Sequence, residues 1–572
     1  MKRLVLPTLV LAAAAWSPRA SADTAYTITE TLIGEWLWDN GNGRYLFDPV
    51  TGEPVFDPVT GEPSFVGNID DDYYWDIKNR LNIGMQGEGI DVGLRVDTAT
   101  LRFLYPAFVG DETDAQRADR EREWYRRYGV EQDPEDGSYG HVGDYRLERA
   151  YAALDLTRDW RVTGGDYYAQ LGRGLILSLR KEDELGLDTA LRGARVDGRI
   201  ADRVDLTLLA GLVNVTNVNE RNNLISEDPL DLISAVRASV DLWGGNRVSL
   251  HVMDYSPHRD DAILDNLVAY GGALEFLDLP YDLQVYAEAD GVHRASKGAS
   301  SDDGFGAYLD VSGMVGPVQL RLEYKEYHDL GDPDLGISSS EADATGAYWQ
   351  YNRPPTADEL DQWIESQYDV RGGRLRVDWK IADWVSIFVA CAAAQDLRSV
   401  SEDAVHGYGG FEISWDDGQS VLRGTVGYRH TWDEAPVTHA TEDFRTLVHV
   451  KVDLGLHLWG PLSLNLNVLH EEWTQLNPGG APGEMTPYRR GTTALSLDWA
   501  GIGGIWGTFE YDTEKADVQH WFGAGGIQWF AADWLTVRGR VGSQRGGRKC
   551  LAGMCRDFPA FEGVRLELVF RL

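Results

Sequence analysis

Arg173, Arg180, Lys181, Glu182, Asp183 and Glu184 bring charges of both signs into one short stretch of the chain. Fixed charges of both signs so close together suit a selectivity element, which decides which polar solutes pass a narrow point. The group lies in the run Gly164 to Val196, G-G-D-Y-Y-A-Q-L-G-R-G-L-I-L-S-L-R-K-E-D-E-L-G-L-D-T-A-L-R-G-A-R-V. Leu175, Ile176, Leu177 and Leu179 make its middle too apolar to stand in water. The run therefore either extends a strand as a long tip with structural glycines or folds inward onto a wall. Folding inward makes the charged group a pore constriction.

Other reactive groups are sparse. Cys550 and Cys555 flank Leu-Ala-Gly-Met, a gap that closes readily into a disulfide loop, while two thiols with no nearby His are too few to hold a metal. Cys391 shares parity with Val385, Ile387 and Val389, so it reads as a free thiol that is lipid-facing or buried. Asp39, in Asp-Asn-Gly-Asn-Gly, and Asp70, Asp71 and Asp72 offer oxygen ligands for calcium, without a complete twelve-residue calcium loop. No other cofactor is indicated. The chain lacks G-x-S-x-G, H-E-x-x-H and G-x-x-x-x-G-K-[ST], and His470-Glu-Glu472 lacks the second histidine of a zinc helix. No catalytic residue, and no enzyme, is expected.

The elements that must position these groups are strands. From Ala560 to Leu572, Val564, Leu566, Leu568, Phe570 and Leu572 take one parity and Arg565, Glu567 and Arg571 the other, a strand apolar on one face and charged on the other. Val448 to Leu458 alternates in the same way against His449, Lys451, Asp453 and His457. Such segments recur with short connections (87–89, 157–160, 201–203, 243–246, 316–317, 382–384, 416–419, 459–461, 501–504, 531–534) alternating with long ones at about residues 39–72, 102–143, 174–190, 214–230, 257–266, 330–368, 433–443, 474–487 and 548–559. Short turns on one side and long loops on the other is the outer-membrane arrangement. The expected fold is all-β: a large transmembrane antiparallel up-and-down β-barrel of about 24 strands (22–26). It begins with Ala25 to Trp38, Tyr74 to Met85 and Ile90 to Leu101. Asp144 to Leu156 changes parity, the mark of a bulge.

Tryptophans support the membrane reading. Trp160, Trp243, Trp384, Trp415, Trp459, Trp499 and Trp534 fall at or beside the short turns, as an interfacial girdle requires. A soluble propeller would show a repeat of about 40 to 50 residues, and none is present. No apolar stretch is long enough for a spanning helix. Residues 1–22 read as a secretory signal peptide, with Lys2 and Arg3, an apolar run from Leu4 to Trp16 and small residues up to Ala22, leaving 23–572 as a single barrel. Few residues separate Asp23 from the first strand, so no N-terminal plug domain is expected. The formal charge is −38, and losing Lys2, Arg3 and Arg19 with the signal takes it to −41. Nucleic acid is an improbable partner for such a chain.

On the polar parity, Arg374, Arg376, Lys380, Arg538, Arg540, Arg565 and Arg571 make a basic lumen wall, set against acids that include Glu288, Asp310, Glu323, Asp378 and Glu567. The excess acid lies in the loops, above all 39–72 and 330–368. Either it keeps the surface soluble among divalent cations and polysaccharide, or it makes a cation-attracting mouth. Phe47 to Val55 and Phe56 to Ser64 form a nine-residue tandem duplication with Pro and Gly at turn positions, and Arg117 to Tyr128 suits a solvated surface helix.

The run G-D-Y-Y-A-Q-L-G-R-G-L-I-L, with L-G-L-D-T-A-L-R-G-A-R-V and the late C-L-A-G-M-C-R-D-F-P-A-F-E-G-V-R-L, resembles a family of large Gram-negative outer-membrane proteins known only as a domain of unknown function. The resemblance implies a barrel and carries over no activity. One departure is the end of the chain, Leu572 with Phe570 two before it, where outer-membrane proteins usually end in an aromatic residue. The expected function is a porin-like channel or passive transporter for a hydrophilic solute or exported polymer. The alternative is a surface protein whose acidic loops engage a partner and close the lumen. The expected surroundings are outer-membrane lipid and lipopolysaccharide, the outer-membrane assembly machinery, and a small hydrophilic solute or polysaccharide.

Overall fold

A strand in lipid must find a hydrogen-bonded neighbour on both edges, because no water is there to satisfy an open one. The chain meets this by closing on itself. The computed structural model describes residues 24–37, 44–45, 65–66, 74–103, 142–182, 187–215, 231–257, 264–296, 301–330, 369–397, 401–434, 444–476, 485–514, 520–551, 554–558 and 561–572. Within them, 24 strands form one closed antiparallel barrel. They are β1 (Ala25–Leu37), β2 (Tyr74–Gly87), β3 (Ile90–Phe103), β4 (Val142–Thr157), β5 (Trp160–Tyr167), β6 (Leu187–Ile200), β7 (Val204–Val215), β8 (Leu232–Asp241), β9 (Arg247–Ser256), β10 (Leu264–Leu279), β11 (Leu283–Ser296) and β12 (Asp302–Val315). The second half comprises β13 (Val318–His328), β14 (Val370–Ala382), β15 (Val385–Asp396), β16 (Ser401–Trp415), β17 (Ser420–Glu434), β18 (Phe444–Trp459), β19 (Leu462–Leu476), β20 (Met485–Trp499), β21 (Gly503–Asp512), β22 (Trp521–Ala532), β23 (Leu535–Gln544) and β24 (Phe561–Arg571).

Each strand pairs with its neighbours in sequence, and β24 pairs with β1 from Thr29↔Arg571 to Leu37↔Gly563. Leu572 continues the seam by exchanging backbone bonds of 2.9 and 3.1 Å with Ile28. The parity change in β4 is a bulge: Arg95 pairs with Arg149 and Val96 with Leu147, skipping Glu148. The short connections lie where the sequence places them, with one more at Pro280–Asp282. Three of these turns hold non-glycine residues at positive φ, Ala201–Asp202, Tyr281–Asp282 and Asp416–Asp417, the twist that tight antiparallel hairpins favour.

Side chains sort by parity. Val448, Val450, Val564 and Leu566 are exposed on the outer surface, whereas His449 is buried inside and Arg565 and Glu567 are ion-paired there. Trp243, Trp384, Trp415, Trp459, Trp499 and Trp534 are exposed at the short-turn end, and Trp160 is half-buried. Cys391 is exposed on the outer face, opposite Leu375. Residues 1–22, Asp39, the tandem duplication, Asp70, Asp71, Asp72, Arg117 to Tyr128, Asp183 and Glu184 lie outside the described residues.

Leu566 sits mid-strand, opposite Gly34 and Gly539. Leu566→Arg is expected to cost about 2–4 kcal/mol, the usual penalty for a cation facing lipid near mid-depth, read by urea unfolding from phospholipid vesicles. A loss below about 1 kcal/mol, the level found near the interfaces, would contradict the outward placement.

Candidate functional site: a hairpin folded into the barrel

Strand β5 has 8 residues, against 16 in β4 and 14 in β6, so it stops short of its neighbours. The sequence explains where. Gly165 has φ +98°, and a Cβ there would lie 2.1 Å from the Ala150 carbonyl oxygen, so only glycine lets the chain turn this close to β4. Asp166 then closes the gap that β5 leaves. Its carboxylate accepts from the Ala150 amide at 2.6 Å, from Arg192 Nε at 2.9 Å and from Asn214 Nδ2 at 2.8 Å. Arg192 and Asn214 also donate to the Glu148 carbonyl, at 3.0 and 2.7 Å.

Beyond Tyr167 the chain enters the interior as a small hairpin. Ala169 pairs with Leu179 and Gln170 with Ser178. The Leu171 amide donates to the Leu177 carbonyl at 3.1 Å, and the Gly174 amide to the Leu171 carbonyl at 2.7 Å. Gly172 and Gly174, at φ +55° and +91°, supply the left-handed residues of this turn. Lys181 and Glu182 then pair with Asp188 and Leu187 at the start of β6, so the connection expected at 174–190 is replaced by a hairpin and an earlier strand.

The apolar run goes inward. Leu171, Leu175, Ile176, Leu177 and Leu179 are at most 1% exposed. They join one core with Leu191, Val213, Ile233, Met253, Tyr255, Leu267, Tyr286, Tyr308 and Tyr327, all on strands β6 to β13. Each such Leu or Ile contributes about 1.5–3 kcal/mol on burial. This sector of the inner wall carries these apolar residues where it receives the hairpin.

Charged groups fix the hairpin at both ends. At its base, Asp188 accepts from Tyr168 Oη at 2.6 Å, Arg149 at 2.7 Å and Arg95 at 2.5 Å, and Arg95 also holds Asp97. The Arg149 guanidinium lies 4.4 Å from the centre of the Tyr168 ring. At its tip, the Arg173 amide donates to Glu288 Oε2 at 2.9 Å. The Arg173 guanidinium donates to Asp310 at 2.9 Å and lies 4.1 Å from the centre of the Tyr286 ring. Asp310 also binds Arg321, which reaches Glu323, and Glu323 pairs with Arg374. A continuous chain of charge therefore runs from the hairpin tip across β12, β13 and β14.

Of the expected constriction residues, Arg173 is the tip contact, Arg180 is half-buried and Lys181 is exposed at the base. The Glu182 side chain lies outside the described residues. The basic wall is largely neutralised by neighbours. Arg376 binds Asp378, Arg538 binds Glu567, Arg565 binds Glu35, and Arg571 donates to Thr536. Arg540 donates to Gln544 and lies over the Phe561 ring. Lys380 reaches down to the turn, where its amine bonds Asp383 and holds that carboxyl below its usual range. Cys550 and Cys555 occupy directly opposite positions in the hairpin formed by Gly547–Leu551 and Met554–Phe558. Sequence reading singled out Arg173 but not Arg95, Arg149, Asp166 and Asp188, which hold the base of the hairpin and the end of β5. The available signal was apolar residues on both parities of β8 and β9, which marks an inner wall that is covered.

Residues 138–227, which span the whole of β4, β5, the hairpin, β6 and β7, match the model of a family described as "Family of unknown function (DUF6029)". That match contains the first of the two stretches that carry the resemblance, the run Gly164 to Val196, and not the late one that begins at Cys550. No curated protein matches the chain. Similar solved structures include the translocation pore of the P pilus usher PapC, at 8% identity and TM-score 0.41, covering 95% of this chain and 99% of that one. The siderophore receptor PirA from Pseudomonas aeruginosa has 9% identity and TM-score 0.45, covering 97% and 81%. The outer membrane protein opdK from Pseudomonas aeruginosa has 11% identity and TM-score 0.36, covering 75% and 97%.

Asp188→Asn weakens the base anchor and leaves the Arg95 and Arg149 guanidinium groups without their shared carboxylate, a change of about 3–5 kcal/mol for a buried pair. Trypsin is expected to cut the hairpin after Arg173, Arg180 or Lys181 at least about tenfold faster than in the folded parent, since cleavage follows the open population. Equal cleavage rates would show that Asp188 does not hold the hairpin.

Proposed function

We propose that the protein is an outer-membrane channel or passive transporter for a hydrophilic solute or exported polymer, and that the hairpin 168–182 forms its constriction. The observation that carries this reading is the hairpin itself, held inside an outwardly apolar barrel by charged contacts at both ends. Burying such charges is costly, and they are kept where position matters. A barrel that only anchored surface loops needs no positioned element in its interior, whereas a conducting one needs a defined narrow point. Because the lumen cations are paired, selectivity between anions and cations is expected to be modest, with size and hydration doing most of the sorting.

The reading includes contact with outer-membrane lipid and lipopolysaccharide through the apolar outer face and its tryptophan girdle, export through a signal peptide, and insertion by the outer-membrane assembly machinery. It assigns no catalytic step and no cofactor to transport.

The test is single-channel conductance of the refolded barrel in a planar bilayer, compared with a form in which Leu171 to Leu179 is replaced by a short Gly-Ser link. Steady ohmic conductance that rises about twofold or more when the constriction is removed is the expected result. Silence in both forms would overturn the channel reading and favour the surface protein whose acidic loops engage a partner.

A further inference from the structure

His251 on β9 and Glu288 and Asp290 on β11 meet on the inner wall beneath the hairpin, exposed by only 2%, 3% and 3%. One imidazole nitrogen and one oxygen of each carboxylate lie within 4.8 Å of one another. His251 Nε2 is 2.6 Å from Asp290 Oδ1. Glu288 Oε2 accepts from the Arg173 amide and from Tyr286 Oη. The remaining polar atom of each residue, His251 Nδ1, Glu288 Oε1 and Asp290 Oδ2, is buried with no hydrogen-bond partner.

Each of these three buried residues therefore carries the desolvation cost of a missing bond. Charge points the same way. Two ionised carboxylates outnumber the one imidazole, and the guanidinium of Arg173 is already engaged by Asp310, so a bound cation would take the place of the protons that otherwise neutralise the pair. Two glycines make the room. A Cβ on Gly271 of β10 would lie 1.8 Å from Asp290 Oδ1, and one on Gly172 of the hairpin 1.8 Å from Glu288 Oε1.

We propose that His251, Glu288 and Asp290 bind one divalent first-row transition ion, with zinc as its type, under the hairpin. One nitrogen and two carboxylate oxygens make a three-ligand set with a position left for a fourth. The imidazole favours a transition ion over calcium or magnesium, which take oxygen alone. The charge of the ion offsets both carboxylates, and bonds of about 2.0–2.2 Å are reached by rotating side chains. Glu288 is shared: one oxygen faces the ion and the other holds the Arg173 amide. Occupancy of the site therefore fastens the hairpin tip to the wall. The site is independent of whether the barrel conducts.

The test reads metal rather than current. Full-length barrel without a histidine tag is folded in detergent, incubated with zinc, desalted and analysed by elemental mass spectrometry. One zinc per chain is expected, falling at least tenfold in Asp290→Asn and His251→Ala forms whose folding is verified by heat-dependent gel mobility. Folded parent protein that retains no zinc, or variants that retain as much as the parent, would overturn the site. Should both variants fail to fold, zinc-edge X-ray absorption of the loaded parent decides. A single imidazole with oxygen ligands supports the assignment, and several imidazoles or any sulfur overturns it.

Discussion

Closure of 24 strands into one cylinder is the constraint from which the rest of the molecule follows. The two end strands of the sheet satisfy each other when β24 meets β1, and the outer face is then free to be apolar. Barrel diameter grows with strand number, and from about 16 strands upward the wall's own side chains no longer fill the interior. Something else must occupy that space, or it stays a wide aqueous hole. Here the material comes from the chain itself: β5 ends after Tyr167, and the next residues turn inward.

That choice reverses the ordinary chemistry of the wall. Inward positions of a membrane barrel are polar, yet Ile233, Met253, Tyr255 and Leu267 face inward and are fully buried, because they carry the hairpin's leucines. Apolar packing gives the hairpin its place but little orientation, since it is non-directional. Direction comes from charge: Asp188 at the base and Arg173 at the tip fix where the hairpin starts and where it ends. Where the tip lands, the wall presents Glu288 and Asp310 to Arg173, with Glu323 linked to Asp310 through Arg321.

Much of this was legible in the residues. Alternation in segments such as Val448 to Leu458, the tryptophans at the turns and the alternation of short and long connections gave the barrel, its strand number and the bulge in β4. The Leu175 to Leu179 run showed that an apolar stretch needed cover, although parity alone left two answers, a long strand tip or an inward fold. What decided between them was not local. Asp188 and Arg95 are 93 residues apart, and Arg173 and Asp310 137, and no periodicity within a strand records which lumen charges will meet across the barrel. The His251 cluster was hidden for the same reason. Its residues sit on strands two apart in the wall, and single inward polar residues are what every barrel strand displays.

The central claim is that residues 168–182 form a buried hairpin rather than a surface loop. Hydrogen exchange of the folded barrel in lipid nanodiscs, followed by peptide mass spectrometry, tests it most directly. The amides of Leu171, Gly174 and Leu179 are expected to exchange on the slow scale of the neighbouring strand β6, because they are bonded and covered. Exchange at the rate of an open loop would contradict the account and leave the barrel interior without its defining element.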